Sequence, residues 1–193
     1  MHWRLKRSEY ERLKGEGNRR AFRRIVASGE VPGLLAYDGD QPIAWCAVAP
    51  RPSYPTLERS RVLARIDDAP VWSVVCLFVA RPHRRRGVTV SLLRAAADHV
   101  RRQGGSVVEG YPIEPKKKGK GAAEIPPVFA WTGLASAFRK AGFREVARRS
   151  PTRPIMRLAL VARGDRAAGS SCRPDRSGRA RREGSRCSAG TRR

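Results

Sequence analysis

The stretch Leu77-Phe78-Val79-Ala80-Arg81-Pro82-His83-Arg84-Arg85-Arg86-Gly87-Val88-Thr89-Val90-Ser91-Leu92-Leu93 decides the fold. Its first residues end a run, Val71 to Val79, that is rich in β-branched and aromatic side chains and polar only at Ser73. Such a run predicts a strand buried on both faces. Its last residues begin a different period. Val88, Leu92, Ala96 and Val100 recur every four positions beside Leu93, until Gly104-Gly105 stops the pattern, and this spacing predicts a helix. Ser106 to Tyr111 then reads as another strand. The whole is a β-α-β crossover, which joins parallel neighbours.

Working outward, Glu9 to Ala27 reads as helical, with Tyr10, Leu13, Phe22, Ile25 and Val26 at roughly helical spacing. Gly33 to Tyr37 and Ile43 to Ala49 are short apolar runs joined by Asp38-Gly39-Asp40-Gln41, a hairpin signal. The prolines of Pro50 to Pro55 predict a loop. Pro112 to Pro127 reads as a long loop carrying Lys116-Lys117-Lys118-Gly119-Lys120. Trp131, Leu134 and Phe138 mark one helical face that closes at Gly142, and Phe143 to Arg148 and Ile155 to Val161 finish as strands. Hairpins beside a crossover predict an α/β fold of the α+β kind, with a mixed, mostly antiparallel central sheet flanked by helices.

Composition changes after Val161: residues 163–193 carry ten arginines, three acids and almost no large apolar side chain. Such a segment buries too little apolar area to offset its ordering entropy, so it is expected to be a disordered basic tail behind one domain at residues 1–162. The chain has 193 residues and 41 Lys+Arg against 17 Asp+Glu, a net charge of +24. Charge of this size attracts polyanions, which leaves nucleic acid possible as a partner without favouring it. Only seven of the basic residues are lysines, and an arginine-heavy, alanine- and glycine-rich chain also follows from biased coding. No apolar run approaches the ~20 residues of a membrane span, and the first residues lack a signal peptide's apolar stretch, so the expectation is a cytoplasmic protein without a membrane partner. Cys46, Cys76, Cys172 and Cys187 form no C-x-x-C pair, and with His2, His83 and His99 they give no metal-ligand spacing, so no metal is expected.

The chemistry lies where the strand becomes the helix. The first amides of a helix have no intrahelical acceptor, and the helix dipole places partial positive charge there. Gly87 removes a side chain that would hold a phosphate away, while Arg84, Arg85 and Arg86 add charge-assisted donors. This is a seat for a diphosphate, although it is neither a Walker loop nor G-x-G-x-x-G.

These residues resemble the GNAT superfamily of acetyl-coenzyme A-dependent N-acetyltransferases. The family signature [Q/R]-x-x-G-x-[G/A] would read Arg84-Arg85-Arg86-Gly87-Val88-Thr89, with Thr89 where Gly or Ala is usual. Phe138-Arg139-Lys140-Ala141-Gly142-Phe143 is similar to the Gly-Phe ending of the family's last helix. The resemblance implies acetyl-CoA as co-substrate, its pyrophosphate on Arg84 to Thr89. It also implies that the pantetheine arm lies along the backbone of Leu77, Phe78 and Val79, in a gap where two strands splay. An amine of a small molecule or peptide would be the acceptor, and the protein would be a monomer or homodimer.

Catalytic assignments depart from the family pattern. The tyrosine that often serves as acid is here Phe138, and the asparagine a turn earlier is Trp131. Tyr111, just after the second strand of the crossover, is the candidate acid, with a buried structural tyrosine as the other reading. Glu109 interrupts an apolar strand beside the gap and is the candidate base, with a salt bridge to an arginine as the other reading. Ser73, Asp67 and Asp68 could line the acceptor pocket. Two further functions stay open: a basic protein that binds nucleic acid, and a GNAT-like domain that binds acyl-CoA without turnover.

Overall fold

A computed structural model describes residues 1–115, 117–118, 121–122 and 130–160. Two helices open the chain, α1 (Arg7–Arg12) and α2 (Glu16–Ala27), where the periodicity predicts one. The break falls at Gly15, whose φ of 67° lies in the left-handed region that only glycine adopts freely. The hairpin β1 (Gly33–Asp38) and β2 (Gln41–Pro50) follows as expected, turning at Asp38 to Gln41. The proline-rich loop is instead a 3-10 turn (Arg51–Ser53) and a short helix α3 (Pro55–Glu58), because Pro55 sits in the first turn, where a missing N–H is harmless.

The crossover forms as the sequence predicts: β3 (Trp72–Val79), a 3-10 turn (Arg81–His83), α4 (Val88–Arg102) and β4 (Val107–Gly110). A two-residue pair, β5 (Lys117–Lys118) and β6 (Gly121–Ala122), is followed by α5 (Ala135–Lys140), β7 (Arg144–Arg148) and β8 (Pro154–Ala159). The last helix is shorter than its apolar pattern: Leu134 is its N-cap and Trp131 lies outside it. The side chains of Lys116–Lys120, and the tail at 163–193, lie outside the described residues.

The six main strands form one sheet in the order β1-β2-β3-β4-β8-β7. Only β3 and β4 run parallel; every other neighbouring pair is antiparallel. One core packs α4 and α5 against the sheet through Val74, Leu77, Leu93, Val100, Phe138 and Met156. A fully buried side chain such as Leu93 contributes about 1.5–3 kcal/mol. A second, smaller core on Tyr54, Leu57, Val75, Tyr111 and Ile155 lies under α3 and the N-terminal segment.

Two irregularities in β3 position the site. The β2–β3 register slips so that Ala47 faces Cys76 while Val48 faces Val74, leaving Val75 as an extra residue. A bulge of this kind bends the strand and raises its twist. Moreover, β3 pairs with β4 only through Trp72–Val108, Ser73–Glu109 and Val74–Gly110, and beyond that point the two chains part. The expectation of burial on both faces therefore fails at the far end of β3. Helix α2 reaches Trp45 through Phe22, edge-on at 5.9 Å, and leaves Phe78, the ladder partner of Trp45, 55 % exposed.

Candidate active site

The strand-to-helix loop carries its hydrogen-bonding capacity unspent. Gly87 is the N-cap of α4 with φ 80°, and no side chain caps the helix. Arg85 has φ 62°, and among the described residues it is the one non-glycine in the left-handed region. Successive turns of this kind point consecutive N–H groups outward as an anion-binding concavity. No described residue accepts a hydrogen bond from the amides of Arg85, Arg86, Gly87, Val88 or Thr89. A Cβ built on Gly87 would meet nothing within 4 Å, so the backbone angle demands glycine here and packing does not. Arg84, Arg85 and Arg86 are exposed, and Arg84 is steadied by its Nε donating to the Val79 carbonyl at 2.9 Å. His83 is half-buried nearby, its Nδ1 3.8 Å from Asp38.

In the gap beyond the last β3–β4 pair, two backbone groups of β3 are bonded to other segments. The Leu77 N–H donates to the Trp131 carbonyl at 2.7 Å, and the Trp3 indole N–H donates to the Val75 carbonyl at 3.0 Å. Trp3 and Trp131 lie 5.6 Å apart, and His2 stands edge-on to both and to Tyr10. Leu77 turns its side chain into the core, Val79 is half-buried, and Phe78 faces solvent.

Glu109 and Tyr111 sit at the bottom of this gap in a closed polar network. Glu109 is 1 % exposed and Tyr111 fully buried. The Glu109 Oε1 accepts from Arg51 Nη1 at 2.9 Å and from the Tyr111 hydroxyl at 2.6 Å, while Oε2 accepts from Arg157 Nε at 2.7 Å. A tyrosine has one proton to donate, so its oxygen accepts from Ser73 Oγ at 2.8 Å and from Arg51 Nη1 at 2.7 Å. Arg51, itself 2 % exposed, also donates to Glu58 Oε1 and to the Leu63 carbonyl, both at 2.7 Å. Burial, followed by the Glu109 charge, pushes the Tyr111 hydroxyl far above its ordinary value, so it stays protonated. Asp67 pairs with both Nη atoms of Arg157 and caps the Ala69 amide.

The model of the GNAT acetyltransferase family matches residues 2–111. The chain belongs to that family. Among solved structures it is similar to an acetyltransferase from Salmonella typhimurium determined with its cofactor acetyl-CoA, at 17 % identity over 82 % of this chain and 79 % of that one, TM-score 0.45. It is also similar to the ribosomal-protein-S18-alanine N-acetyltransferase from Escherichia coli, at 14 % identity over 74 % and 79 %, TM-score 0.43. A third similar structure is a GNAT-family acetyltransferase from Desulfovibrio desulfuricans, at 16 % identity over 66 % and 68 %, TM-score 0.42. No curated protein sequence matches the chain.

Within this GNAT domain the structure gathers the sequence-nominated residues into two places. Arg84 to Thr89 line one loop, and Leu77 to Val79 run into it. Glu109 and Tyr111 meet instead with Ser73 in the buried network, where their oxygens turn to arginines rather than to the gap. Phe138, at the position where the family often has tyrosine, is fully buried edge-on to Phe143 at 5.0 Å. Its ring lies on Gly110, where a built Cβ would come within 2.1 Å of it. Sequence reasoning missed Arg51 because a lone arginine among prolines carries no signal of burial. It also missed the cluster of Trp3, His2 and Trp131, whose members lie far apart in the chain.

Proposed function

We propose that this GNAT protein moves an acetyl group from acetyl-CoA to a primary amine of a small molecule or peptide, by direct transfer while both are bound. One observation carries the reading: five consecutive amides, Arg85 to Thr89, have no acceptor among the described residues, at the start of a 15-residue helix and beside three exposed arginines. They fit a pyrophosphate, whose oxygens would accept from the amides and from Arg84 and Arg86. The pantetheine arm would run along Leu77 to Val79, its thioester toward the bulge at Val75 and Cys76. Binding acetyl-CoA there requires the Trp131 carbonyl to give up the Leu77 N–H.

Transfer forms a C–N bond to the acetyl carbon and breaks its C–S bond; the amine loses a proton and the thiolate gains one. In this reading Glu109 and Tyr111 support the floor of the site, since their lone pairs and proton are committed to Arg51, Ser73 and Arg157. Holding the two reactants together supplies the main rate advantage, and the amine's proton leaves to solvent at the mouth. A second reading, acyl-CoA binding without turnover, is favoured by Phe138, which has no proton to give.

Thermal shift with acetyl-CoA, followed by thiol release across an amine panel, tests both. Stabilisation with thiol release supports transfer. Stabilisation without release across the panel supports the second reading, and no stabilisation removes the loop as a coenzyme seat.

A further inference from the structure

The two edges of the sheet are built differently. β7, at one edge, exposes Arg144 and Glu145, and its Arg148 pairs with Glu145 and Glu114. Charged edge strands discourage pairing with another chain. β1, at the opposite edge, reads Gly-Leu-Leu-Ala-Tyr-Asp, with no lysine, arginine or proline, and Leu35 and Tyr37 are 52 % and 56 % exposed. Among the described residues its backbone hydrogen bonds go to β2 alone. Beside it lies a groove of about 330 Å³ between β1 and α4, lined by Leu34, Ala36, Ser91, Ala95, Asp98 and Arg102. A strand laid along β1 would find α4 over one face of it. On its other face it would extend the cross-strand row Leu35–Trp45–Phe78.

Charge selects the occupant. In a chain with 41 basic residues, none occurs from Ile25 to Pro50, and Glu30, Asp38 and Asp40 make that stretch net negative. Here two strongly cationic copies can approach with the least repulsion. Where α4 borders this groove it also carries an acid and a base a turn apart, Asp98 and Arg102, both exposed. When a helix meets its own copy antiparallel with the two-fold axis midway between residues i and i+4, that pair faces its reverse, so an axis there would set Asp98 against the second copy's Arg102 twice over. Asp98 pairs with Arg101 of its own helix at 2.5 Å, and among the described residues Arg102 makes no ion pair. Antiparallel pairing of a strand with itself has this same two-fold symmetry.

We propose that β1 pairs edge to edge with β1 of a second copy, giving a homodimer with one continuous sheet and the α4 helices facing across the axis. The proposal is independent of catalysis.

Sedimentation of the full chain, in a concentration series reaching about 0.1 mM, tests it. The expected mass is twice the 21.4 kDa of one chain. Leu35→Lys and Ala95→Arg should each return it to that of one chain without loss of circular dichroism, whereas Val146→Lys on β7 should leave it doubled. Asp98→Arg should weaken the dimer at least tenfold, and adding Arg102→Asp should restore it. A single-chain mass throughout overturns the proposal. So does a doubled mass that survives both Leu35→Lys and Ala95→Arg, which would place the contact elsewhere.

Discussion

The loop from Arg84 to Thr89 and the cluster around Glu109 are both arginine-rich and both lie at ends of β3, yet they are opposites. In the loop five amides have no acceptor among the described residues and three arginines are exposed. In the cluster Arg51, Glu109, Tyr111 and Ser73 are buried, and each is bonded to another member. A ligand site needs hydrogen-bonding capacity that folding leaves unspent, whereas a buried network is stable only when that capacity is used up. In the proposed reading the first region serves binding and the second holds β2, β3, β4 and β8 together.

The largest effect should come from the cluster. Arg51→Met leaves the Glu109 carboxylate and the Leu63 carbonyl short of a donor in the interior, and stability to urea should fall by about 3–5 kcal/mol. A loss under 1 kcal/mol would break the contrast, because the network would then be idle. Next is Gly87→Glu, which places a carboxylate and a strained φ where the anion would sit. Acetyl-CoA affinity should drop about 100-fold, while the left-handed backbone angle alone costs about 1–2 kcal/mol in unfolding by urea. Arg84→Ala with Arg86→Ala should weaken binding by about tenfold in calorimetry, an effect that shrinks with added salt.

Tyr111→Phe is sharper still as a discriminator. If the hydroxyl only braces Glu109, stability should fall by about 1 kcal/mol while the rate of thiol release and its pH profile hold. A rate loss of about 100-fold at unchanged stability would make Tyr111 the acid after all. The smallest effect is on acid lability. The Arg157 hydrogen bond holds the Asp67 carboxyl below the usual carboxylate range. A carboxyl lowered in the folded state stabilises above its unfolded pKa, and that contribution disappears as pH falls through the folded one. The urea midpoints of the parent and Asp67→Asn should thus differ at pH 7 and converge below about pH 4. Midpoints that stay apart at low pH would mean that Asp67 acts through its cap on Ala69 instead.

Much of this was legible in the chain order alone. The hairpin at Asp38 to Gln41, the β-α-β crossover and the glycine at the start of α4 each depend on residues close in sequence, where period and backbone preference act directly. Legibility failed where a side chain's surroundings come from distant segments. Phe78 reads as buried and is exposed, while its ladder partner Trp45 is met by Phe22 of the distant α2. Trp131 reads as one face of a helix, yet its carbonyl bonds to Leu77, 54 positions earlier.

What the sequence determined by itself is the strand, the turn and the helix around Gly87, whose junction lies within 17 consecutive residues. Only the tertiary structure decided that Glu109 would meet Arg51 across 58 positions and Arg157 across 48, with both carboxylate oxygens taken up by arginines. A carboxylate's role follows from what surrounds it, and for a strand residue those surroundings come from neighbours in the sheet, whose order no local pattern encodes.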